Sequence, residues 1–459
     1  MKFGIFYEHQ LPRPWSADAE EQLLADALDQ VELADRVGFD HVWEVEHHFL
    51  EEYSHSSAPE IFLAAASQRT SRIRLGHGII QTAPRFNHPI RTAERVATLD
   101  LISHGRVDFG SGESSSEAEL GGFGIDYATK REQWLEGLQV AIRAMTETPF
   151  TGHDGPYCSV PPRNVVPKPK QKPHPPLWVA CSRRDTILLA AEKGIGALSF
   201  AFIDPDEAER WMGDYERTLA ERCIPVGLAV NPEVAVVSPM MLADNEDEAL
   251  RRGIEGANFF GYSLAHYYVF GEHRPAETDV WAEYVERRDK MGYSPEAALA
   301  SKNETLGAKI AAGDQTGLRG AVGTPDQIRE FLRRYEAAGV DQVIFVLQAG
   351  RNRHDHIMES IERFGTEILP EFAEREPAIR AAKAERFAPL IERAFERKAA
   401  AGLDVVPALP EDYVMKAIPK AMIDLAANET GQQILDRIAD EGAIGDNTTM
   451  AAIMGEPTI

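Results

Sequence analysis

The chain of 459 residues is 44% hydrophobic and 26% charged, an ordinary globular composition with ample length for one large core. With 48 Lys and Arg against 73 Asp and Glu, its formal charge of −25 repels phosphodiester backbones and anionic lipid, which sets nucleic acid and membrane surfaces aside as partners. Three cysteines, Cys158, Cys181 and Cys223, lack CxxC spacing, and no signal-length apolar stretch is visible, so a soluble, cytoplasmic protein is expected.

In chain order, a first short apolar strand spans residues 3–6. A helix capped by Ser16 then carries Leu23, Leu24, Ala27, Val31, Ala34 and Val37 at helical spacing, stops at Gly38 and delivers a strand ending at 42–45. Further strands are expected over 73–80, 107–110, 177–180, 197–200, 230–237 and 343–347. The last follows a helix opened by the capping box Thr324-Pro325-Asp326-Gln327 and closed by Gly339. "GFDHVW" and "GVDQVI" are thus two copies of helix, left-handed glycine stop and strand. Eight buried strands alternating with helices favour an α/β fold, a (β/α)8 TIM barrel with insertions over residues 1–370, above an open doubly wound sheet. The Pro-rich stretch 151–176 reads as a surface excursion and the aromatic-rich 251–320 as a lid insertion. Residues 371–459 form a C-terminal extension, helical through Lys398 and then polar.

The C-terminal ends of barrel strands converge on one mouth, so "HVWEVEHHF" places Glu46 and His47 among the functional candidates. His47 is the acid/base candidate, an imidazole able to exchange protons at neutral pH without a large shift. Glu44, Glu46, His47 and His48 have no metal-ligand spacing, and no metal is expected there. The alternative is that the histidines only hydrogen-bond neighbouring loops. The glycine-rich 110–124 lacks a phosphate-loop pattern, and its Glu113, Glu117 and Glu119 oppose anions. Arg131 could reach back to a phosphate or remain a solvated helix residue. In "PLWVACSRRDT" a strand opens through Ser182 and Arg183 into a helix starting near Asp185. Its amides, with Ser182 and Thr186, could cradle an anion, or Asp185 could simply cap the helix.

The segments "MKFGIF", "VGFDHVWEVEHHF", "RIRLGHGII", "HPIRTAERVATLDLISHGRVDFGSG", "FGIDYATKREQWLEGL" and "VGTPDQIREFLRRYEAAGVDQVIF", in this order, resemble the bacterial luciferase-like, flavin-dependent monooxygenases over most of residues 1–370. The resemblance implies a barrel that takes reduced FMN from a separate NAD(P)H-flavin reductase and reacts it with O2. It assigns catalysis to His47 beside Glu46, and a ring contact to Phe6. It also implies a backbone edge at Gly78, often with a non-prolyl cis peptide, and FMN contacts at Arg131, Ser182, Thr186 and Ser199, to which the residue reading adds Arg183. Where luciferases carry a reactive cysteine and then a phosphate-binding arginine, this chain has Gly112 and Glu113, which argues against light emission. The expected activity is oxygenation of a small organic substrate, apolar if Phe259, Phe260, Tyr262, Tyr267, Tyr268 and Phe270 line the site, by a homodimer. Two alternatives stay open: hydride transfer with a deazaflavin on the same barrel, and a non-catalytic partner subunit of a luciferase-like heterodimer.

Overall fold

The computed structural model describes residues 1–200, 203, 205–288, 319–415 and 433. Eight parallel strands close into a barrel: β1 (Lys2–Tyr7), β2 (His41–Glu44), β3 (Arg74–His77), β4 (Val107–Gly112), β5 (Leu177–Cys181), β6 (Gly196–Ser199), β7 (Val234–Leu242) and β8 (Gln342–Val346). Each pairs with the next, and the ring shuts where Ile5 of β1 faces Phe345 of β8 on one side and Val42 of β2 on the other. A short strand Ile80–Gln81 extends the pairing along β4, and Ala321–Gly323 runs beside the outer end of β7. The expected (β/α)8 barrel is therefore present, with eight strands overlapping the apolar runs; the seventh, expected over 230–237, starts and ends later, at Val234–Leu242.

The helix–glycine–strand joints explain the closure. Gly38 has φ 109°, and its N–H donates to the Ala34 carbonyl, so the helix Ala19–Val37 ends where only glycine turns without a Cβ penalty. Inside the barrel, large and small residues alternate. A Cβ on Gly76 would lie 2.2 Å from the Trp43 ring, and one on Gly196 would lie 2.5 Å from Trp178. The two indoles meet edge to face at 5.3 Å and fill the barrel between them.

Two regions differ from the linear reading. Residues 251–265 belong to a regular helix, Glu246–Ala265, whose Phe259 and Tyr262 are buried in packing against Trp281 and Tyr284, while Phe260 joins the apolar cluster of Phe6, Trp43 and Tyr53. The chain then passes through a π-helical turn, His266–Phe270, into the helix Val280–Arg287; the remainder of the expected lid, 289–318, lies outside the described residues. The compact unit Met1–Val406 also takes in the helix Leu369–Ala400, which buries Phe372, Phe387 and Ala394. Its Arg397 donates to the carbonyls of Leu219, Ala220 and Cys223 at 2.8–3.1 Å, closing the C-terminus of the helix Pro205–Arg222. Pro407–Ile459 forms a second unit, and the polar end of the extension lies outside the described residues.

Candidate active site

β2 leaves the barrel at Glu44, and the Ser56 carbonyl accepts from His47 N–H at 2.8 Å, which turns the imidazole over the mouth. The ring, 16% exposed, lies between two carboxylates: Nδ1 is 3.0 Å from Glu119 Oε1 and Nε2 is 3.5 Å from Glu8 Oε2. Both carboxylates are fixed in turn. Glu119 accepts from Ser114 Oγ and from His48 N–H at 3.0 Å, and Glu8 accepts from the Tyr53 hydroxyl at 2.8 Å. Above them, Tyr268 from the π-helical turn brings its hydroxyl within 3.4 Å of His47 Nδ1 and 3.5 Å of Glu119 Oε2.

This setting overturns the expectation of an ordinary imidazole. Burial alone would lower the His47 pKa, but Glu8, then Glu119 by charge and hydrogen bond, outweigh it and raise the value to about 9. Glu8 moves the other way for a carboxylate: burial lifts it to about 7 against the pull of His47 and Tyr53. At neutral pH His47 is therefore an imidazolium, and the proton that exchanges most readily belongs to the coupled Glu8–His47 pair. Glu119, which on sequence only opposed anions, instead holds the acid form of the catalytic candidate.

The other expected residues fall on the same rim with different duties. Glu46 is buried and turned sideways: it accepts from Gln81 N–H at 2.7 Å and from Asn87 Nδ2 at 2.8 Å, and lies 3.1 Å from His48 Nε2. It thus anchors the loop after β3. Phe6 sits in the barrel interior 5.2 Å from the Phe200 ring, and a Cβ on Gly78 would come within 3.5 Å of the Phe6 ring. The cis peptides among the described residues all precede proline. Gly78 is thus joined by trans bonds, with its N–H tied to the Glu44 carbonyl at 2.6 Å. Ser199 is buried at the end of β6, and its hydroxyl has no hydrogen-bond partner among the described residues.

Across the rim the first turns of two helices bring cations together. Lys130 donates to the Ser114 carbonyl at 2.8 Å and lies 3.4 Å from Glu113, and Arg131 pairs with the same carboxylate at 2.9 Å while remaining 45% exposed. Burial first, then repulsion from Arg131 and Arg183, pulls the Lys130 pKa down against the attraction of Glu113; Lys130, Arg131 and Arg183 therefore share one neighbourhood. Arg183, and not Asp185, is the N-cap of the helix Arg184–Lys193: its N–H donates to Thr186 Oγ1 at 3.3 Å, and its carbonyl accepts from the same hydroxyl at 2.6 Å. That commitment leaves Ser182, which is exposed, as the freer hydroxyl. Ser114 joins the two: its Oγ donates to Glu119, the partner of His47, and its backbone carbonyl accepts from Lys130 at 2.8 Å, so imidazole and basic cluster belong to one site.

Sequence reasoning missed Glu8, Tyr53 and Lys130, and it had Tyr268 only as one of six aromatics of the expected lid. Glu8 had a signal, since it follows β1 directly; Lys130 reaches the rim from a helix and carries none.

The donor set suits a flavin nucleotide. An acid stands beside an apolar interior that includes Phe6, Trp43 and Ile79, with a glycine edge at Gly78, a serine hydroxyl unpartnered among the described residues, and a cation cluster joined to the acid through Ser114. Comparison with known proteins agrees. The flavin-dependent trigonelline monooxygenase, oxygenase component, of Acinetobacter baylyi is 26% identical over 377 residues, covering 82% of this chain and 96% of that protein. The monooxygenase RslO1 of Streptomyces bottropensis superposes with a TM-score of 0.63 at 25% identity, over 81% of this chain and all of that one. The coenzyme F420-dependent tetrahydromethanopterin reductase of Methanopyrus kandleri shares the fold, with a TM-score of 0.55 at 21% identity over 81% of this chain and 99% of that one. Residues 1–342 match the luciferase-like monooxygenase family, and the chain belongs to it.

Proposed function

We propose that this chain is the oxygenase component of a two-component monooxygenase that binds reduced FMN, supplied by an NAD(P)H-flavin reductase, and uses O2 to oxygenate a small, apolar organic molecule. The single observation that carries the reading is His47 held as an acid between Glu8 and Glu119, bonded through Ser114 to the Lys130 cluster. The relative named as a flavin-dependent oxygenase component, matched over 96% of its length, supports it.

In this reading Lys130, Arg131, Arg183 and Ser182 hold the phosphate, with Glu113 giving up its pairing to Arg131. Phe6 and Gly78 bound the ring, the Ser199 hydroxyl finds a polar edge, and Glu46 keeps the β3 loop in place. Bound reduced flavin supplies the two electrons and the activation of oxygen. His47 holds a proton at its ring nitrogens and donates it, Glu8 and Glu119 keep that proton available, and Tyr268 closes the mouth against water. A homodimer is supported by the exposed Ile61, Leu101 and Ile102 on the adjacent helices Pro59–Arg69 and Pro89–Ile102, Ile61 being 69% exposed.

The test is anaerobic titration with reduced FMN and, separately, a reduced deazaflavin, followed by admission of air. Tight binding of reduced FMN and oxygen uptake by the complex are expected. Selective binding of the deazaflavin without oxygen uptake would move the protein to hydride transfer.

A further inference from the structure

Away from the mouth, the helix Lys130–Thr146 and the hairpin formed by His153–Asp154 and Ser159–Val160 bring three donors together. His153 Nε2 lies 3.0 Å from Glu136 Oε1, Cys158 Sγ lies 3.4 Å from the same oxygen, and all three atoms fall within 4.8 Å of one another. We propose that Glu136, His153 and Cys158 bind a thiolate-accepting divalent cation of the zinc type, with the fourth coordination position open to water.

The geometry carries this. Tetrahedral zinc with bonds of about 2.0 Å to N and O and about 2.3 Å to S has N···O and S···O edges of about 3.3 and 3.5 Å, close to the two spacings present. The carboxylate is oriented as outer-shell bonds orient a ligand: Glu136 Oε1 accepts from the backbone N–H groups of Tyr157 at 3.3 Å and Cys158 at 3.0 Å. Gly155 leaves the room these atoms need, since a Cβ there would stand 2.4 Å from both Glu136 Oε1 and His153 Nε2. The side chain of His153 is 22% exposed, which gives the cation a path in. His153 and Cys158 stand only five residues apart, but Glu136 precedes them by 17 and 22, so no short motif contains all three. Without a cation the Cys158 thiol donates to Glu136 Oε1 at 3.4 Å. Binding therefore forms an S–metal bond and releases the thiol proton to solvent. The cation ties the hairpin to the helix whose first residues, Lys130 and Arg131, belong to the mouth.

Cobalt(II) added to chelator-treated full-length protein reads the site directly, without flavin. One equivalent should give a thiolate-to-cobalt charge-transfer band, displaced by Zn2+, with about one proton released per cation. The band should vanish in Cys158→Ser, and His153→Ala should weaken binding by at least about 100-fold, the upper end of what losing an outer-shell partner costs. No charge-transfer band in the wild-type protein, or a band that survives Cys158→Ser, would overturn the proposal.

Discussion

The two ends of the barrel handle charge in opposite ways. At the N-terminal end, around a cavity of about 360 Å³, charges are matched: Arg74 pairs with Asp108 at 2.6 Å, Lys2 with Glu233 at 2.6 Å, and His41 lies 3.6 Å from Asp108. Burial would raise the Asp108 pKa, but Arg74 and His41 prevail and hold it far below the usual carboxylate range. At the C-terminal mouth one imidazole stands between two buried carboxylates, and the Glu8 pKa rises to about 7. Matched pairs hold the strands together, whereas the crowded end keeps a proton in play at neutral pH.

Substitutions at each end should separate these duties. His47→Ala is expected to lower turnover by about 100- to 10,000-fold with little change in melting temperature, checked by steady-state kinetics beside calorimetry. At the other end, Arg74→Ala leaves Asp108 buried without its main partner. It should cost about 3 kcal/mol of stability in urea unfolding, with turnover of the folded fraction preserved. In the wild-type protein the Asp108 contribution is present above the ordinary aspartate range and is lost as the pH falls through its depressed value.

A finer comparison lies within the mouth. If the imidazolium is the working form, turnover should hold through neutrality and fall as the pH rises past about 9, where His47 deprotonates. The stabilising contribution of that raised pKa is likewise complete below the ordinary imidazole value and is lost through the same range. Glu119→Gln removes a charge that raises His47, so its alkaline limb should move down toward the ordinary value; an unmoved limb would detach Glu119 from the proton. The smallest effect is expected for Tyr268→Phe, about 1 kcal/mol or roughly fivefold in rate, because its hydroxyl contacts are long, at 3.4 and 3.5 Å.

Several strand positions were legible in the sequence because a left-handed glycine stop precedes the apolar run, as at Gly38 and Gly339. His47 was legible for the same reason, as the first histidine after a buried strand. Its protonation state was not. That depends on Glu8 and Glu119, which are 39 and 72 residues away and meet only when the ring closes. The N-cap at Arg183 was hidden too, since an arginine side chain has no acceptor to offer the helix and only the bond from its N–H to the Thr186 hydroxyl marks the start. The aromatics of 259–262 read as a lid because composition cannot tell a buried helix face from a pocket wall.

Binding of reduced FMN and of reduced riboflavin, measured anaerobically on the wild-type protein and on a Lys130→Ala, Arg131→Ala variant, tests the assignment of the mouth most directly. The two ligands differ only by the phosphate. The variant should lose at least about tenfold in affinity for reduced FMN, about 1.4 kcal/mol, and little for riboflavin. Equal affinity of the wild-type protein for both ligands, or an FMN affinity unmoved by the double substitution, would contradict a flavin nucleotide held between His47 and this cluster.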